Sequence, residues 1–244
     1  MPDKEWFSEW FDSPYYHLLY KNRDDKEAEL FIDNLITLLH IKQGQKILDL
    51  PCGKGRHSVY FNKKGFNVTG LDLSPHNIQY ASQFANNTLR FSVHDMRIPY
   101  ATGEFDYVVN LFTSFGYFEN EEENISSMKT LAQALKPGGI LTIDFMNTPE
   151  VIKDLQGEQL QPRDGIDFCI HRKLENGFVI KDILFEDKGH KYHFEEKVKA
   201  MTKADFMALF ERADLQLKQV FGNYRLEPYN EETSDRMIFI LAKN

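Results

Sequence analysis

The sequence predicts an α/β fold in which helices cover both faces of a doubly wound, mostly parallel sheet. Short apolar runs alternate with helical stretches over the first 147 residues, which is the rhythm of a parallel sheet. A glycine turn joins a strand to a helix within residues 47–58, and such junctions bind ligands in open α/β sheets. After Asn147 the pattern changes to β-rich runs separated by hairpin turns. The 244 residues therefore predict one domain with an inserted antiparallel segment.

The residues before Asn147 predict five strands. Apolar residues recur at helical spacing over 26–40, which predicts a helix before the first strand. An acidic first turn at 121–123 and the Lys-Pro-Gly-Gly sequence at 136–139 predict the start and the stop of a later helix. The predicted strands cover 46–50, 66–73, 88–94, 105–112 and 140–145, and the helices between them cover 56–64, 74–86 and 121–135.

The remaining residues predict a meander and a closing pair of strands. Asn176-Gly177 and Lys188-Gly189 favour tight hairpin turns between β-rich runs. Thr202 is a predicted N-cap for the helix that follows. The last two strands are too close in sequence for a crossover helix, so they must be antiparallel to each other. The meander strands cover 167–174, 178–186 and 191–199, the helix covers 205–213, and the final strands cover 215–224 and 237–242.

The first 24 residues carry many aromatic side chains. Ser13 followed by Pro14 predicts a short helix over 15–20. These aromatic residues either anchor an arm to the domain or form a lid that directs tyrosines and His17 into a ligand cleft, and the two interpretations are compatible. The expected organisation is an arm at 1–24, a ligand-binding core at 25–150 and 201–244, and an inserted antiparallel cover at 151–200.

Composition restricts the class of partner. The chain has 29 Lys and Arg against 37 Asp and Glu, and this acidic balance argues against a nucleic-acid partner. Cys52 and Cys169 make no disulfide framework, which favours a reduced, cytoplasmic protein. No apolar run approaches the ~20 residues of a membrane span, and the histidines lack metal-ligand spacing, so no membrane and no metal are expected.

Acidic residues at the ends of two predicted strands favour an adenosine ligand. Gly53 and Gly55 supply two glycines of the dinucleotide fingerprint and Ser58 takes the place of the third, so a dinucleotide is not excluded. Asp72 ends the second strand, where a ribose would bind, and Asp95 ends the third, where it would accept from the adenine amino group. Leu73 and Met96 would flank the ring.

Five motifs in fixed order resemble the class I S-adenosylmethionine-dependent methyltransferases of small molecules. They are Ile-Leu-Asp-Leu-Pro-Cys-Gly-Lys-Gly at 47–55, Gly-Leu-Asp-Leu-Ser at 70–74, His-Asp-Met-Arg at 94–97, Phe-Asp-Tyr-Val-Val-Asn at 105–110 and Leu-Lys-Pro-Gly-Gly at 135–139. The resemblance covers 30–147 and the closing helix and strands. It implies a seven-stranded Rossmann-like sheet of order 3-2-1-4-5-7-6 with strand seven antiparallel. Pro51 departs from the family's usual glycine, so one backbone N–H is missing from the turn.

The resemblance also implies a cofactor site for S-adenosyl-L-methionine and its product, S-adenosyl-L-homocysteine. Asp49 and Gly53 would line the methionine end, Asp72 would bind both ribose hydroxyls, and Asn110 would lie under the sulfonium. The full expected set is Tyr16, Asp49, Cys52, Gly53, Gly55, Asp72, Leu73, Asp95, Met96, Asn110 and Leu111.

The expected reaction is direct displacement at the sulfonium methyl by a small-molecule acceptor. The sequence identifies neither the acceptor nor the oligomeric state. If a general base is needed, the candidates are Tyr15, Tyr16, His17 and Tyr117. Three alternatives stay open: a non-catalytic cofactor-binding protein, an NAD-dependent oxidoreductase on the same sheet, and a methyltransferase of protein or RNA.

Overall fold

The structure is a computed structural model that describes residues 6–21, 25–153, 155 and 157–244. Residues 1–5 and 22–24 of the predicted arm and residues 154 and 156 of the predicted cover lie outside the described residues. The helices are α1 (Trp6–Asp12), α2 (Pro14–Leu19), α3 (Asp25–Leu39), α4 (Arg56–Lys63), α5 (Pro75–Ala81), α6 (Glu121–Ala134), α7 (Thr148–Lys153) and α8 (Lys203–Arg212).

The strands form two separate sheets. They are β1 (Lys46–Asp49), β2 (Asn67–Asp72), β3 (Leu89–Val93), β4 (Phe105–Asn110), β5 (Leu135–Met146), β6 (Glu158–Arg163), β7 (Ile166–Glu175), β8 (Phe178–Asp187), β9 (His190–Lys199), β10 (Leu215–Phe221) and β11 (Arg236–Lys243).

The larger sheet has the predicted topology. Its order is β3-β2-β1-β4-β5-β11-β10, and β11 runs antiparallel to both β5 and β10 while the other neighbours are parallel. The carboxyl ends of β1, β2, β3 and β4 therefore meet at one edge, where the glycine turn also lies. Apolar residues fill both faces of this sheet, as a doubly wound sheet requires.

The second sheet differs from the predicted meander in one respect: it has four strands, in the order β6-β7-β8-β9. The sequence of β6, Glu-Gln-Leu-Gln-Pro-Arg, lacks β-branched and aromatic residues, so it gives no strand signal. Its pairing with β7 along the whole strand places it in the sheet instead. The predicted N-cap of α8 is confirmed, since Thr202 and Asp205 form a reciprocal capping box.

Helices α1 and α2 lie on the inner face of the second sheet. Trp10 and Leu19 from these helices pack with Phe168, Ile170 and Phe185 from the sheet in one buried cluster. Burial of each such side chain contributes roughly 1.5–3 kcal/mol, which is enough to hold two short helices that would not form alone. No helix in the described ranges has both the length and the apolar composition that crossing a bilayer requires.

Candidate cofactor and acceptor site

A cavity of about 770 Å³ lies at the carboxyl edge of the larger sheet. That size falls in the usual range for small-molecule sites, roughly 300–1,000 Å³. Its lining comes from the glycine turn and the ends of β2, β3 and β4, and also from the two N-terminal helices and β9. Of the predicted site residues, the cavity lining includes Tyr16, His17, Cys52, Gly53, Gly55, Asp72, Leu73, Asp95, Met96, Leu111 and Tyr117.

The glycine turn depends on two residues with left-handed backbone conformations. Gly53 has φ +55° and Gly55 has φ +84°, values that residues other than glycine rarely adopt. A Cβ at Gly55 would lie 2.9 Å from the ring of Phe91, whereas a Cβ at Gly53 would have no described atom within 4 Å. Gly53 therefore leaves open space in the cavity wall for a ligand to approach the backbone.

Cys52 helps to hold this turn. Its backbone N–H donates to the carbonyl of Leu71 at 2.7 Å, which ties the turn to β2. Burial raises the pKa of the Cys52 thiol well above its usual value. The thiol is therefore protonated at neutral pH, which is the form expected of a packing residue rather than a nucleophile.

Asp72 joins the turn to helix α5 and faces the cavity. Its Oδ2 accepts from the backbone N–H of Gly53 at 2.8 Å, and its Oδ1 accepts from the N–H of Ser74 at 2.9 Å and from Asn77 Nδ2 at 3.3 Å. Burial raises the pKa of Asp72, although these hydrogen bonds oppose the shift. One carboxylate thus fixes the local backbone and presents oxygen acceptors at the cavity wall.

Asp95 occupies the end of the next strand but has a cationic partner. The guanidinium of Arg97 donates to both of its oxygens, with Nη2 at 2.6 Å from Oδ2. Burial acts to raise the pKa of Asp95, but Arg97 outweighs it and lowers the pKa below the usual value. Asp95 is therefore ionised at neutral pH, and Met96 and Leu73 provide apolar surface on the same side of the cavity.

Asp49 and Asn110 lie beneath the cavity floor, not on its wall. Both are fully buried, and neither is among the described lining residues, although the sequence predicts both as cofactor contacts. Ser58 Oγ donates to Asp49 Oδ2 at 2.5 Å, and Asn110 Nδ2 donates to the carbonyl of Leu50 at 2.8 Å. Alternation along a strand predicts which face a side chain takes but not how deep it lies, so these two residues support the turn from below.

Burial of Asp49 predicts a pH-dependent stability difference. Burial raises the pKa of Asp49 from 3.8 to about 7, so the folded protein binds an extra proton between these values and the free energy of unfolding falls as pH rises through them. The variant Asp49→Asn has no ionisable group at this position, so its free energy of unfolding does not fall for this reason. We expect its stability relative to wild type to increase by about 1–3 kcal/mol between pH 4 and pH 8 in urea unfolding.

Asp106→Asn is the matched control for this measurement. Burial acts to raise the pKa of Asp106, but the hydrogen bond from Lys136 outweighs it and lowers the pKa. The ionised form of Asp106 therefore stabilises the fold above its ordinary pKa, and its variant should lose stability relative to wild type as pH rises. If the stability of both variants relative to wild type changed in the same direction with pH, the raised pKa of Asp49 would be contradicted.

Helix α2 divides the predicted aromatic residues between two surfaces. Tyr16, His17 and Tyr20 line the cavity. Tyr15, a predicted candidate base, points the other way: its Oη donates to Asp187 at 2.9 Å and its ring packs on Phe185 of the second sheet. Tyr15 therefore packs against the second sheet, whereas Tyr16 lines the cavity.

The other candidate bases have defined surroundings. Burial, together with the positive charge of Lys54, lowers the pKa of His17 to about 4, so its imidazole is neutral at pH 7. Its Nε2 is buried without a hydrogen-bond partner among the described residues. Tyr117 donates its hydroxyl to the carbonyl of Thr113, and its ring packs against Phe11. The hydroxyl of Tyr117 is therefore already hydrogen-bonded, and its ring forms part of the cavity wall.

The cavity wall also contains a carboxylate that the sequence did not predict as a site residue. Glu196 of β9 lines the cavity, and its oxygens accept from Trp10 Nε1 at 2.7 Å and from Tyr20 Oη at 2.6 Å. Lys181 Nζ is 3.6 Å from the same carboxylate. One feature of the sequence could have identified Glu196. Side chains alternate along a strand, which places Glu196 on the same face of β9 as the aromatic residues Tyr192 and Phe194.

Comparison with known proteins identifies the family. Residues 47–139 match a methyltransferase-domain family. The chain is 31% identical over 232 residues to the dTDP-3-amino-3,4,6-trideoxy-alpha-D-glucopyranose N,N-dimethyltransferase of Streptomyces venezuelae, and the match covers 92% of this chain and 94% of that one. The chain belongs to the S-adenosylmethionine-dependent methyltransferases. Membership decides against the NAD-dependent oxidoreductase.

Further relatives extend this result. The chain is 39% identical over 102 residues to the putative methyltransferase YqeM of Bacillus subtilis, a match that spans 41% of either chain. An S-adenosylmethionine-dependent methyltransferase from Clostridium acetobutylicum shares the fold with a TM-score of 0.79 at 20% identity, covering 94% of this chain and 96% of that one. The methyltransferase fold thus extends over nearly the whole chain.

The side chains that line the cavity fit the family's cofactor, S-adenosylmethionine. A ribose diol needs acceptors and an adenine amino group needs one more, and Asp72 and Asp95 offer carboxylate oxygens at adjacent strand ends. Leu73 and Met96 offer apolar surface for a flat ring. The space beside Gly53 is open, because a Cβ there would have no described atom within 4 Å, and a ligand can therefore approach the backbone.

Proposed function

We propose that this chain transfers the methyl group of S-adenosylmethionine to a nitrogen atom of a small-molecule amine. The observation that carries the proposal is Glu196, a carboxylate held at the cavity among aromatic rings. The N,N-dimethyltransferase relative supports a nitrogen acceptor, because its name specifies an amino sugar.

The proposed cofactor contacts lie on the strand-end side of the cavity. Asp72 would bind the ribose hydroxyls, Asp95 and Met96 would contact the adenine edge, and Leu73 would pack on the ring. The turn containing Gly53 would contact the methionine portion. Asp49 and Asn110 would act from beneath by holding the turn and the end of β4 in place. Bound S-adenosylmethionine supplies a methyl group already activated by a positively charged sulfur.

The proposed acceptor contacts lie on the opposite side. An amine must present its lone pair to the methyl carbon, so the protein has to hold the nitrogen in line and exclude water. Glu196 would accept a hydrogen bond from the amine N–H and so orient the lone pair. As the S–CH3 bond breaks, the positive charge passes from sulfur to the nitrogen, and aromatic rings would stabilise the resulting methylammonium, which favours a nitrogen acceptor over a hydroxyl. Trp10 and Tyr20 contact this carboxylate, and the rings of Phe11, Tyr16 and Tyr117 line the same cavity.

Amine acceptance can be tested with the full chain, methyl-labelled S-adenosylmethionine, and panels of amino sugars, amino acids and simple amines. We expect label to enter at least one amine. We further expect Glu196→Gln to lower kcat/KM for that amine by about 10- to 100-fold, since a charged hydrogen bond contributes roughly 1.5–3 kcal/mol. S-adenosylhomocysteine affinity should change by less than threefold, because the amide oxygen of Glu196→Gln can still accept from Trp10 and Tyr20.

Glu195→Gln is the matched control, because Glu195 is the adjacent residue of β9 and is not among the described cavity residues. It should retain near wild-type turnover. Tight binding of S-adenosylhomocysteine with no labelled amine in any panel would support the non-catalytic alternative and contradict the proposal. So would labelling of hydroxyl compounds alone.

A further inference from the structure

Two residues of the cavity wall have strained backbone conformations. Phe112 has φ +69° and Thr113 has φ +55°, and both follow directly on the end of β4. This left-handed region is unfavourable for aromatic and β-branched residues, so the surrounding structure must hold them there. Both residues line the cavity. Their conformation therefore sets the shape of the wall.

Phe112 links this loop to the glycine turn. Its ring lies 5.1 Å from the guanidinium of Arg56, and its centroid is 6.4 Å from that of His57. Both partners belong to the first turn of α4, which follows the glycine turn directly. A change in the backbone at Phe112 would therefore reach the side of the cavity proposed to hold the cofactor.

A buried carboxylate on β5 holds the backbone of this loop. Asp144 is fully buried, and its Oδ2 accepts from the N–H of Phe112 at 2.8 Å. Its carbonyl accepts from the N–H of Thr113 at 2.9 Å. The two strained residues thus donate their backbone N–H groups to one residue of the neighbouring strand.

Arg236, the first residue of β11, completes the arrangement. Its Nε donates to Asp144 Oδ1 at 2.8 Å, and its Nη2 donates to Thr113 Oγ1 at 2.8 Å. Tyr224 Oη donates to Asp144 Oδ2 at 3.0 Å. None of Asp144, Arg236 and Tyr224 is among the described cavity residues. Their hydrogen bonds reach the cavity wall at Phe112 and Thr113.

Backbone pairing already joins β5 and β11 in register from Arg236 to Ala242, independently of this side-chain ion pair. Buried ion pairs are weak contributors to net stability compared with apolar residues of the same size. We infer that Asp144, Arg236 and Tyr224 form a positioning clamp that keeps Phe112 and Thr113 left-handed and so shapes the cavity for its cofactor. The clamp is independent of which acceptor the enzyme uses.

The test is hydrogen exchange of residues 111–118 together with S-adenosylhomocysteine binding by calorimetry, in wild type, Arg236→Met and Arg236→Lys. In Arg236→Met we expect the Phe112 and Thr113 amides to exchange at least tenfold faster and the Kd to rise at least fivefold. Arg236→Lys keeps the charge but cannot donate in the same two directions. Its exchange rates and Kd should therefore lie between those of wild type and Arg236→Met. Tyr224→Phe, which removes one hydrogen bond, should show a smaller change of the same sign.

Lys136→Met is the matched control, because Lys136 forms an ion pair with Asp106 at 2.7 Å near the start of β4, at the opposite edge of the sheet. It should leave both the local exchange and the Kd unchanged. Unchanged exchange at 111–118 in both Arg236 variants, or a Kd within twofold of wild type despite faster exchange, would overturn the inference. Neither readout needs an acceptor, so a failed amine screen would not affect it.

Discussion

Replacement of Asp72 by alanine is expected to weaken S-adenosylhomocysteine binding at least 100-fold. The carboxylate faces the cavity and also accepts from the backbone N–H groups of Gly53 and Ser74, at 2.8 and 2.9 Å. Hydrogen bonds from two ribose hydroxyls to an ionised acceptor contribute roughly 1.5–3 kcal/mol each, and 2.7 kcal/mol is about 100-fold in Kd. Loosening of the glycine turn adds to the loss. Titration calorimetry measures it directly.

Two comparisons separate ligand contact from general destabilisation in this experiment. Asp106→Ala removes a carboxylate that is paired with Lys136 at the opposite edge of the sheet, and it should leave the Kd within twofold of wild type. Asp72→Asn keeps one oxygen acceptor but places an NH2 group against the N–H of either Gly53 or Ser74, so it should also bind poorly. Binding by Asp72→Ala within threefold of wild type would remove the basis of the proposed cofactor site.

The cavity wall proposed to bind the cofactor consists of residues that the sequence already placed together, because its parts are local. A strand, a glycine turn and a helix start lie within residues 47–58, and each carboxylate closes the strand that carries it. The sheet order followed from the family resemblance, and the short interval between the last two strands required their antiparallel pairing. These inferences use contacts between residues that are close in sequence or repeated at strand ends.

The part of the cavity proposed to bind the acceptor was not predictable in the same way. Glu196 meets Tyr20 across 176 residues of sequence, and Arg236 meets Thr113 across 123 residues. No periodicity encodes such pairings, because they arise from how the second sheet and β11 pack against the rest. Helix α1 was missed for a related reason: its aromatic residues are stabilised by packing against the second sheet and not by a local helix signal.

The N-terminal helices are expected to act as a lid over the bound cofactor, and their removal should have a comparably large effect. Asp12 accepts from Ser74 Oγ at 2.5 Å, which ties α1 to the start of α5 beside Asp72. Trp10 and Tyr20 donate to Glu196 on the other side of the cavity. The arm thus bridges both walls. Deletion of residues 1–20 should weaken S-adenosylhomocysteine binding at least 50-fold and abolish turnover, because water then enters the site.

Deletion also exposes the apolar inner face of the second sheet, so a matched pair of point variants on α2 makes the test specific. Tyr16→Ala removes a ring from the cavity and should weaken binding by about 10-fold, since an aromatic side chain contributes roughly 1.5–3 kcal/mol on burial. Tyr15→Ala removes a ring that packs on Phe185, so it should lower the Tm while leaving the Kd within twofold. A folded deletion variant with unchanged Kd and turnover, or equal losses of affinity for the two tyrosine variants, would reject the lid, because both outcomes mean that the arm stabilises the fold without covering the ligand.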